Sequence, residues 1–447
     1  MKKNLLFALL LLVFTACEKL KQDNIIPEDT PRLTELQQQY KNMLTASPQG
    51  WYIEYAPTSD KGAVAILMQF SADGKVTILS DMAGFDTEKT STYRIGGVTR
   101  PELIFDTYSV WSAIAENAGG NFEFLIYPQQ NGDFILKNIF VNTNTNFTLR
   151  KATNTDKDTI LAKSATTQLL KSFYDNATGY FKNLALQNIS AFFDLNINTQ
   201  QLTLSWQENG TVVSKTFSYT NLPNGIRLTE AWKVGTISVQ EFQFGTVSAN
   251  ALQIVSAGNA GSGQIEVGHT PAFPYKGTSD YFIWLNGDVR FYAYTLATVA
   301  DYYSPALQTE FLKLKAVIGG ETFNAQLYNH NGTAPNFTNS IQFRYVMPTG
   351  TTLHDGSTSG WLPYYYDLTK MDESHVIVTP KGTSNTAGAP FIPQAMEFMS
   401  YIFPPEGITI VPYGRAGTLQ RIRLVSRKDS KYYMTVTVST PAGVYVD

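Results

Sequence analysis

Gly225-Ile226-Arg227-Leu228, followed by a long alternating segment with Phe242 and Phe244, sets the organisation of this chain. The pattern recurs in two other sets of residues: Gly407-Ile408-Thr409-Ile410 with Leu424 and, more faintly, Glu102-Leu103-Ile104-Phe105 with Phe122 and Phe124. Alternating apolar and polar residues are typical of strands that bury one face. We therefore predict an α+β fold, predominantly antiparallel β, with three tandem modules that each pack one amphipathic helix on a sheet. The alternative is that a β-rich chain contains such repeated patterns by chance.

Helix signals give the module boundaries. Thr30-Pro31 and Ser304-Pro305 each place an N-cap residue before a proline that suits the first turn, and apolar residues follow at helical spacing. A further helix is predicted between Ile160 and Tyr174. The glycine-rich stretch from Ala257 to Gly263 and the turn Asn286-Gly287 indicate a loop and a hairpin. We expect module 1 at residues 30–158, module 2 at 159–256, a connector with a hairpin at 257–300, and module 3 at 301–447.

The N-terminus holds the only cysteine among 447 residues. Lys2 and Lys3 precede an apolar run from Leu5 to Phe14, which is shorter than the roughly 20 residues of a membrane span and typical of a signal peptide. Phe14-Thr15-Ala16-Cys17 resembles the cleavage box of bacterial lipoproteins. We expect residues 1–16 to be a lipoprotein signal peptide and residues 17–29 a tether whose Cys17 carries the lipid. An ordinary signal peptide with an incidental cysteine is the alternative.

The composition limits the possible partners and the possible ways of stabilising the fold. A net charge of −3 and a pI of about 5.9 give no basic field that would attract nucleic acid. With Cys17 lipidated, no thiol remains for a disulfide, a metal or a nucleophile. The hydrophobic fraction of 43% is ample for packed cores. Aromatic residues, at 13% of the chain, favour strands.

No catalytic or metal-binding motif is complete in the sequence. The four histidines, His269, His330, His354 and His375, form no pair at metal-ligand spacing. Asn154, Asp156 and Asp158 alternate like calcium ligands, but the glycine and closing glutamate of an EF-hand are missing. We therefore expect no enzyme, no metal and no cofactor. Paired carboxylates for glycoside hydrolysis stay open, because their spacing in a sequence is arbitrary.

Two aromatic clusters are candidates for a binding surface, because exposed rings with polar tips can stack on sugars or grip peptides. The ligand-binding candidates are Trp361, Tyr364, Tyr365 and Tyr366, which lie beside loop-like sequence. A second cluster lies upstream: Tyr281, Phe282, Trp284, Tyr292, Tyr294, Tyr302 and Tyr303. The alternative for both clusters is that the rings are core and cross-strand residues of aromatic-rich sheets.

Several segments together resemble a known family: Gly50-Trp51-Tyr52, Phe70-Ser71-Ala72-Asp73-Gly74-Lys75-Val76, Ser91-Thr92-Tyr93, Leu103-Ile104-Phe105-Asp106-Thr107-Tyr108 and Gly119-Gly120-Asn121-Phe122-Glu123-Phe124. They are similar to the Bacteroidetes lipoproteins of Domain-of-Unknown-Function family 4302, most clearly over residues 1 to about 150. The resemblance implies no catalytic residue, because the family has no established activity. It implies genes beside SusC/SusD-type import systems, often with a zinc metallohydrolase lipoprotein.

The resemblance leads us to expect an outer-membrane lipoprotein that assists SusC/SusD-type nutrient capture or import and binds a glycan or peptide. Surface export in such bacteria often uses acidic residues after the cysteine, whereas Glu18 is followed here by Lys19 and Lys21. The face of the membrane therefore stays open. Two other functions are possible: a secreted, lipid-anchored hydrolase with dispersed carboxylates, or a structural or adhesive surface protein.

Overall fold

The chain forms three successive closed barrels, each built from eight antiparallel strands. The structure, a computed structural model, describes residues 32–139, 146–283, 288–293, 302–321, 324–330, 338–416 and 419–440. In each barrel, strands that follow one another in the chain pair with one another, and the last strand pairs with the first. The predicted class, antiparallel β-rich α+β with three modules, is confirmed.

The first barrel is packed around aromatic side chains. Its strands are β1 Trp51–Tyr55, β2 Val64–Phe70, β3 Lys75–Ser80, β4 Lys89–Gly96, β5 Glu102–Phe105, β6 Glu123–Pro128, β7 Phe134–Asn138 and β8 Asn146–Lys151. Helices α1 (Leu33–Thr45) and α2 (Val110–Ala118) pack against the same core. Trp51 Nε1 donates a hydrogen bond to the carbonyl of Leu44 over 2.7 Å and so fixes α1 to β1. Gly119 ends α2 at φ 70°, a left-handed conformation that glycine adopts without strain.

The second barrel follows a long helix, α3 (Asp156–Asn176), that contacts strands of both the first and the second barrel. Its strands are β9 Phe181–Leu186, β10 Ile189–Asn196, β11 Gln201–Glu208, β12 Thr211–Leu222, β13 Gly225–Val234, β14 Ile237–Val247, β15 Ala251–Ala257 and β16 Gly263–Gly268. Lys163 of α3 is 8% exposed, and its Nζ lies 2.8 Å from Glu54 Oε1 of the first barrel. Thr166 Oγ1 of α3 donates to the carbonyl of Leu222 in the second barrel over 2.7 Å. The helix is therefore shared by two barrels.

The third barrel contains more helical structure than the single helix expected. Its strands are β17 Asp288–Ala293, β18 Asn324–His330, β19 Ser340–Val346, β20 Ser359–Lys370, β21 His375–Ser384, β22 Ile408–Ala416, β23 Leu419–Ser426 and β24 Tyr433–Thr440. Its helices are α4 Thr278–Ile283, α5 Pro305–Ile318 and α6 Ile392–Ile402. Ser304 caps α5 as predicted, because its Oγ accepts the backbone N–H of Leu307.

The predicted connector at 257–300 differs from the structure. Strand β16 pairs with β9 and closes the second barrel, so this barrel extends beyond residue 256. Residues 281–283, predicted as part of a hairpin strand, belong to helix α4, where Tyr281 and Phe282 reach the core of the third barrel. Alternation over so few residues cannot separate one helical turn from a strand. The turn at 286–287 lies outside the described residues.

A groove across the second barrel as candidate binding site

The outer face of the second barrel carries a band of polar side chains. Strand pairing places Asp194 of β10 opposite Thr203 of β11, and Thr203 opposite Thr216 of β12. Thr203 Oγ1 and Thr216 Oγ1 lie 2.8 Å apart. Because side chains alternate across a strand, the neighbouring residues Phe193 and Leu204 fill the barrel core. The apolar alternation that builds the barrel thus also aligns this outward band.

Three cavities lie along the band, and Asp194 lines each of them. The first, about 630 Å³, faces the first barrel and includes Asp60 and Glu230. The second, about 730 Å³, lies between the second and third barrels and includes Thr203 and Tyr413. The third, about 650 Å³, also lies between these two barrels. Since they share lining residues, we treat the three cavities as one groove, from here on "the groove".

Ser430, just before β24, anchors the third barrel beside the groove. Its Oγ accepts the backbone N–H of Tyr180 over 2.7 Å and lies 2.9 Å from His269 Nδ1. Its own N–H donates to the same ring nitrogen over 3.2 Å. An apolar cluster joins the two barrels beside it: Phe181, Tyr275, Val411 and Val425, with Tyr180, Phe192 and Tyr433 packed against it. The wall contributed by the third barrel is therefore fixed by both polar and apolar contacts.

Arg423 of β23 is the basic side chain at the centre of that wall. It is 7% exposed, and its guanidinium carbon lies 3.6 Å from the ring centre of Tyr413 and 4.4 Å from that of Tyr433. Nε donates to Thr435 Oγ1 over 3.0 Å, and Nη1 donates to Tyr180 Oη over 3.2 Å. A register shift in β22 between Pro412 and Arg415 accompanies the placement of Tyr413 over this side chain.

The groove also perturbs the acid–base properties of the residues that line it. Asp194 is open to the groove, yet the surrounding protein desolvates its carboxylate and raises its pKa. Burial lowers the pKa of Lys182, whose Nζ donates to the carbonyls of Gly179 and Tyr180, each over 3.1 Å. Burial also raises the pKa of Tyr180 to about 12, so its hydroxyl is neutral at physiological pH. The groove therefore combines hydroxyl, carboxylate and cationic groups in a partly dehydrated space.

The four aromatic residues predicted to bind a ligand lie on one strand, β20, rather than on a loop. Tyr364 and Tyr366 are fully buried in the core of the third barrel, and their hydroxyls donate to the carbonyl of Gly388 and to Asn329 Oδ1. Trp361 and Tyr365 are half-buried on the other face of the strand. The four side chains thus do not share one surface. Ligand binding at Trp361 and Tyr365 stays a prediction.

The upstream aromatic cluster lies in the core wherever its side chains are described. Four members are buried: Tyr281, Phe282, Tyr302 and Tyr303. The side chains of Trp284, Tyr292 and Tyr294 lie outside the described residues. The core interpretation of this cluster is therefore correct for the described members.

The other sequence candidates do not assemble into a site. Asp156 starts helix α3 and accepts two hydrogen bonds from Arg150, over 2.6 and 2.7 Å, which hold the pKa of Asp156 down at about 2. His354 is exposed, and His375 Nε2 lies 2.9 Å from the carbonyl of Glu406. In the described part of the chain, no group of three or more His, Cys, Asp or Glu side chains is placed to hold a metal ion.

The membrane-related predictions concern residues outside the described ranges. Cys17, the signal peptide at 1–16 and the tether at 17–29 all precede residue 32. Among the helices that the structure describes, none has both the length and the apolar character needed to cross a membrane. Lipidation of Cys17 stays a prediction.

The sequence predicts the strands that line the groove but does not predict the groove itself. The alternation from Ala191 to Leu195 and from Leu419 to Val425 predicts a strand around each of Asp194 and Arg423. Asp194 and Arg423 are polar positions within those alternations, and this was the available signal that they leave the barrel cores. Their proximity depends on how two barrels pack, which no local pattern encodes.

The structure is similar to the β subunit of DNA polymerase III from Thermotoga maritima, with 9% sequence identity, a TM-score of 0.18, and coverage of 91% of this chain and 98% of the other. It is similar to the sliding clamp, DNA polymerase III subunit β, of Bartonella birtlesii, with 9% identity, a TM-score of 0.16, and coverage of 91% and 98%. Similarities at these TM-scores carry no argument about this protein. No curated protein matches the chain.

The family comparison concerns the N-terminal half of the chain. The matched segment, residues 27–246, holds the first barrel, helix α3 and the second barrel as far as strand β14. The segments quoted above for the family resemblance, from Gly50 to Phe124, all fall within it. Residues 27–246, just under half of the chain, match the family model described as domain of unknown function (DUF4302).

Proposed function

We propose that this protein is a non-catalytic, lipid-anchored binding protein of the outer membrane, which holds a hydroxyl-rich ligand in the groove for a SusC/SusD-type import system. The groove is the observation that carries the proposal. It combines cavities of about 630, 730 and 650 Å³, within the range of small-molecule sites. It runs past the outward hydroxyl pairs Thr203–Thr216 and Ser205–Ser214.

The barrel architecture favours a sugar over a peptide as the ligand. Extended peptides commonly bind by adding a strand to an exposed sheet edge. Each barrel closes on itself, so every strand in the described part of the chain has a neighbour on both sides, although β12 and β21 pair with β13 and β22 over only part of their length. A ligand in the groove is instead held by side chains, and hydroxyl, carboxylate and aromatic groups suit a sugar. The groove therefore supports the glycan alternative more than the peptide alternative.

The membrane part of the proposal depends on Cys17. Cleavage before this residue and lipidation of its thiol would attach the protein firmly, since each buried methylene contributes about 0.8 kcal/mol. Replacing Cys17 with Ala is expected to leave the precursor without lipid and to move the protein out of the membrane fraction. Absence of labelled palmitate from the wild-type protein would contradict this part and leave the groove unaffected.

The binding part is tested by filling the groove. Thr203 lines two of the cavities, and a Thr203→Tyr variant keeps a strand-forming residue while placing a ring in the groove. We expect oligosaccharides that bind the wild type in a glycan array or calorimetry to lose at least tenfold in affinity. Val255→Tyr, at an exposed position on β15 of the same barrel, is the matched control. Equal affinities in the two variants would contradict the proposed site.

A hydrolase is the second candidate, because the groove contains several carboxylates. Asp194 has a raised pKa, as a general acid requires, and shares a cavity with Asp60 and Glu230. The same oligosaccharides incubated with the protein decide between the two functions. Cleavage that disappears in Asp194→Asn would establish the hydrolase and contradict the non-catalytic proposal. Binding without cleavage is the result we expect.

A further inference from the structure

We propose that Arg423 binds the carboxylate of an acidic sugar, so that the ligands of the groove are uronic-acid oligosaccharides. This inference names the ligand class and rests on the proposed function of the groove. Arg423 is a cation that is nine-tenths buried and held in a fixed orientation, and it forms no ion pair with a carboxylate among the described residues.

The unused hydrogen-bonding capacity of Arg423 is the first support. A guanidinium has five N–H donors, and it loses much hydration when it is buried. The structure assigns one donor to Thr435 and one to Tyr180. Nη2 has no protein partner in the described part of the chain, and Arg423 lines the cavity of about 650 Å³. These free donors suit a planar carboxylate, which a guanidinium can bind through two parallel hydrogen bonds.

The orientation of the guanidinium is the second support. Tyr413 and Tyr433 lie 3.6 and 4.4 Å from the guanidinium carbon, and Thr435 holds Nε. An incoming anion would therefore meet donors that are already fixed, which reduces the entropy lost on binding. A flexible surface arginine would have to be ordered first.

The charge balance of the cavity is the third support. Its basic lining residues are Lys182, Arg423 and Lys431, and its acidic one is Asp194. Lys431 Nζ is paired with Asp429 Oδ2 over 2.8 Å, whereas Lys182 donates to backbone carbonyls. No ion pair joins Arg423 to a carboxylate among the described residues. The cavity therefore keeps an excess of positive charge in a partly enclosed space, where it attracts anions more strongly than at an open surface.

A purely structural role is the competing explanation for Arg423. Tyrosine rings stabilise a guanidinium through cation–π contacts, and the bond to Tyr180 crosses from the third barrel to the second. Such a role would make Arg423 important for the contact between barrels but not for the charge of the ligand. The two explanations differ in one observable, which is discrimination between acidic and neutral sugars.

The experiment compares trigalacturonic acid with the same trimer after reduction of its carboxyl groups. We expect the wild-type protein to bind the acidic trimer roughly tenfold to a hundredfold more tightly, because the guanidinium can donate hydrogen bonds to its charged carboxylate. Arg423→Met keeps much of the side-chain volume and should abolish this preference, because the acidic trimer loses far more affinity than the neutral trimer. Arg344→Met, at an exposed position on β19, is the matched control and should keep the preference.

The other possible binding results each contradict either the role of Arg423 or the proposed sugar site. Equal binding of both trimers by the wild type would overturn the role of Arg423 but leave the sugar groove standing. Equal losses for both trimers in a folded Arg423→Met protein would assign Arg423 a structural role. No binding of either trimer would overturn the inference. A full glycan array would then test the proposed function, which the absence of any bound glycan would contradict. If Arg423→Met fails to fold, the wild-type protein decides: salt should weaken binding of the acidic trimer only, and an equal effect on both would overturn the inference.

Discussion

Asp81 lies where the first barrel, helix α3 and the second barrel meet, and it is fully buried. Its Oδ1 accepts the backbone N–H of Ala65 over 2.8 Å, and its Oδ2 accepts Asn221 Nδ2 over 3.3 Å. Its carbonyl oxygen accepts Thr167 Oγ1 of α3 over 2.7 Å. Desolvation outweighs these contacts and raises the pKa of Asp81 to about 6. One acidic residue thus links three elements and also makes their contact sensitive to pH.

The raised pKa of Asp81 predicts a pH dependence of stability with a definite sign. The folded protein binds the Asp81 proton more tightly than the unfolded chain, whose carboxyl has a pKa of 3.8. Raising the pH from about 4 to 6 therefore lowers the free energy of unfolding by roughly 2 kcal/mol for this shift. In an Asp81→Asn variant this contribution should vanish, because the amide has no proton to lose. Urea denaturation of both proteins at several pH values between 4 and 7 measures the difference.

An exposed carboxylate provides the comparison for Asp81. Asp158→Asn on the surface of α3 removes the same formal charge without touching the contact between barrels. Its unfolding curves should follow the wild type across the range. If Asp81→Asn also follows the wild type, the carboxylate of Asp81 is solvated in solution and the pH-sensitive contact does not exist.

Helix α5 shows how one side chain at a helix end stabilises a whole element. Ser304 is 1% exposed, its Oγ accepts the N–H of Leu307 over 3.2 Å, and the N–H of Tyr433 donates to the same oxygen over 3.3 Å. Ser304→Ala removes the acceptor of two N–H groups, the buried one of Leu307 and the partly buried one of Tyr433. We expect a loss of about 1–2 kcal/mol in the free energy of unfolding, measured by chemical denaturation.

Ser400 of helix α6 is the control for the capping effect. It is exposed, and its Oγ donates to the carbonyl of Glu397 within the same helix. Ser400→Ala should therefore change stability by less than about 0.5 kcal/mol. Equal effects of the two substitutions would mean that the cap of α5 contributes nothing specific.

Elements with a local chemical signal could be predicted, and those without one could not. Ser304-Pro305 predicted the start of α5, because capping and the fixed φ of proline are local properties. Helix α6 also has a local pattern typical of a helix, since its apolar residues recur at helical spacing: Ala395, Phe398, Met399 and Ile402. Strand β20 was interpreted as loop-like because of its glycine and proline. Its buried residues, such as Tyr364, are set by pairing with β19.

At the scale of the whole molecule, the alternation in the sequence predicted sheets but not their closure. The same pattern suits an open sheet and a barrel, and closure depends on pairings such as Trp51 with Lys151, which are distant in the chain. The groove has the same origin, because Asp194 and Arg423 meet only when the second and third barrels pack together. Local periodicity predicts strands and their buried faces, whereas contacts between modules need the assembled structure.

The contact between the second and third barrels depends strongly on Ser430. Ser430→Ala would leave the partly buried N–H of Tyr180 without its acceptor and remove the hydroxyl contact with His269. An unsatisfied buried donor costs about 1–3 kcal/mol, so the contact should open more often while each barrel stays folded. We expect hydrogen exchange of the Tyr180 amide to accelerate roughly tenfold or more, with exchange in the core strand β11 unchanged.

Ser426, at the end of β23, distinguishes the loss of this contact from the loss of any buried hydroxyl. It is 1% exposed, like Ser430 it is buried, and its Oγ has no hydrogen-bond partner among the described residues. Ser426→Ala should therefore leave the exchange of Tyr180 as it is in the wild type. Because the opening of this contact would also widen the groove, Ser430→Ala should weaken ligand binding, and Ser426→Ala should not. Unchanged exchange in both variants would mean that the apolar cluster around Phe181 alone holds the two barrels together, and faster exchange in both would mean that the effect is not specific to Ser430.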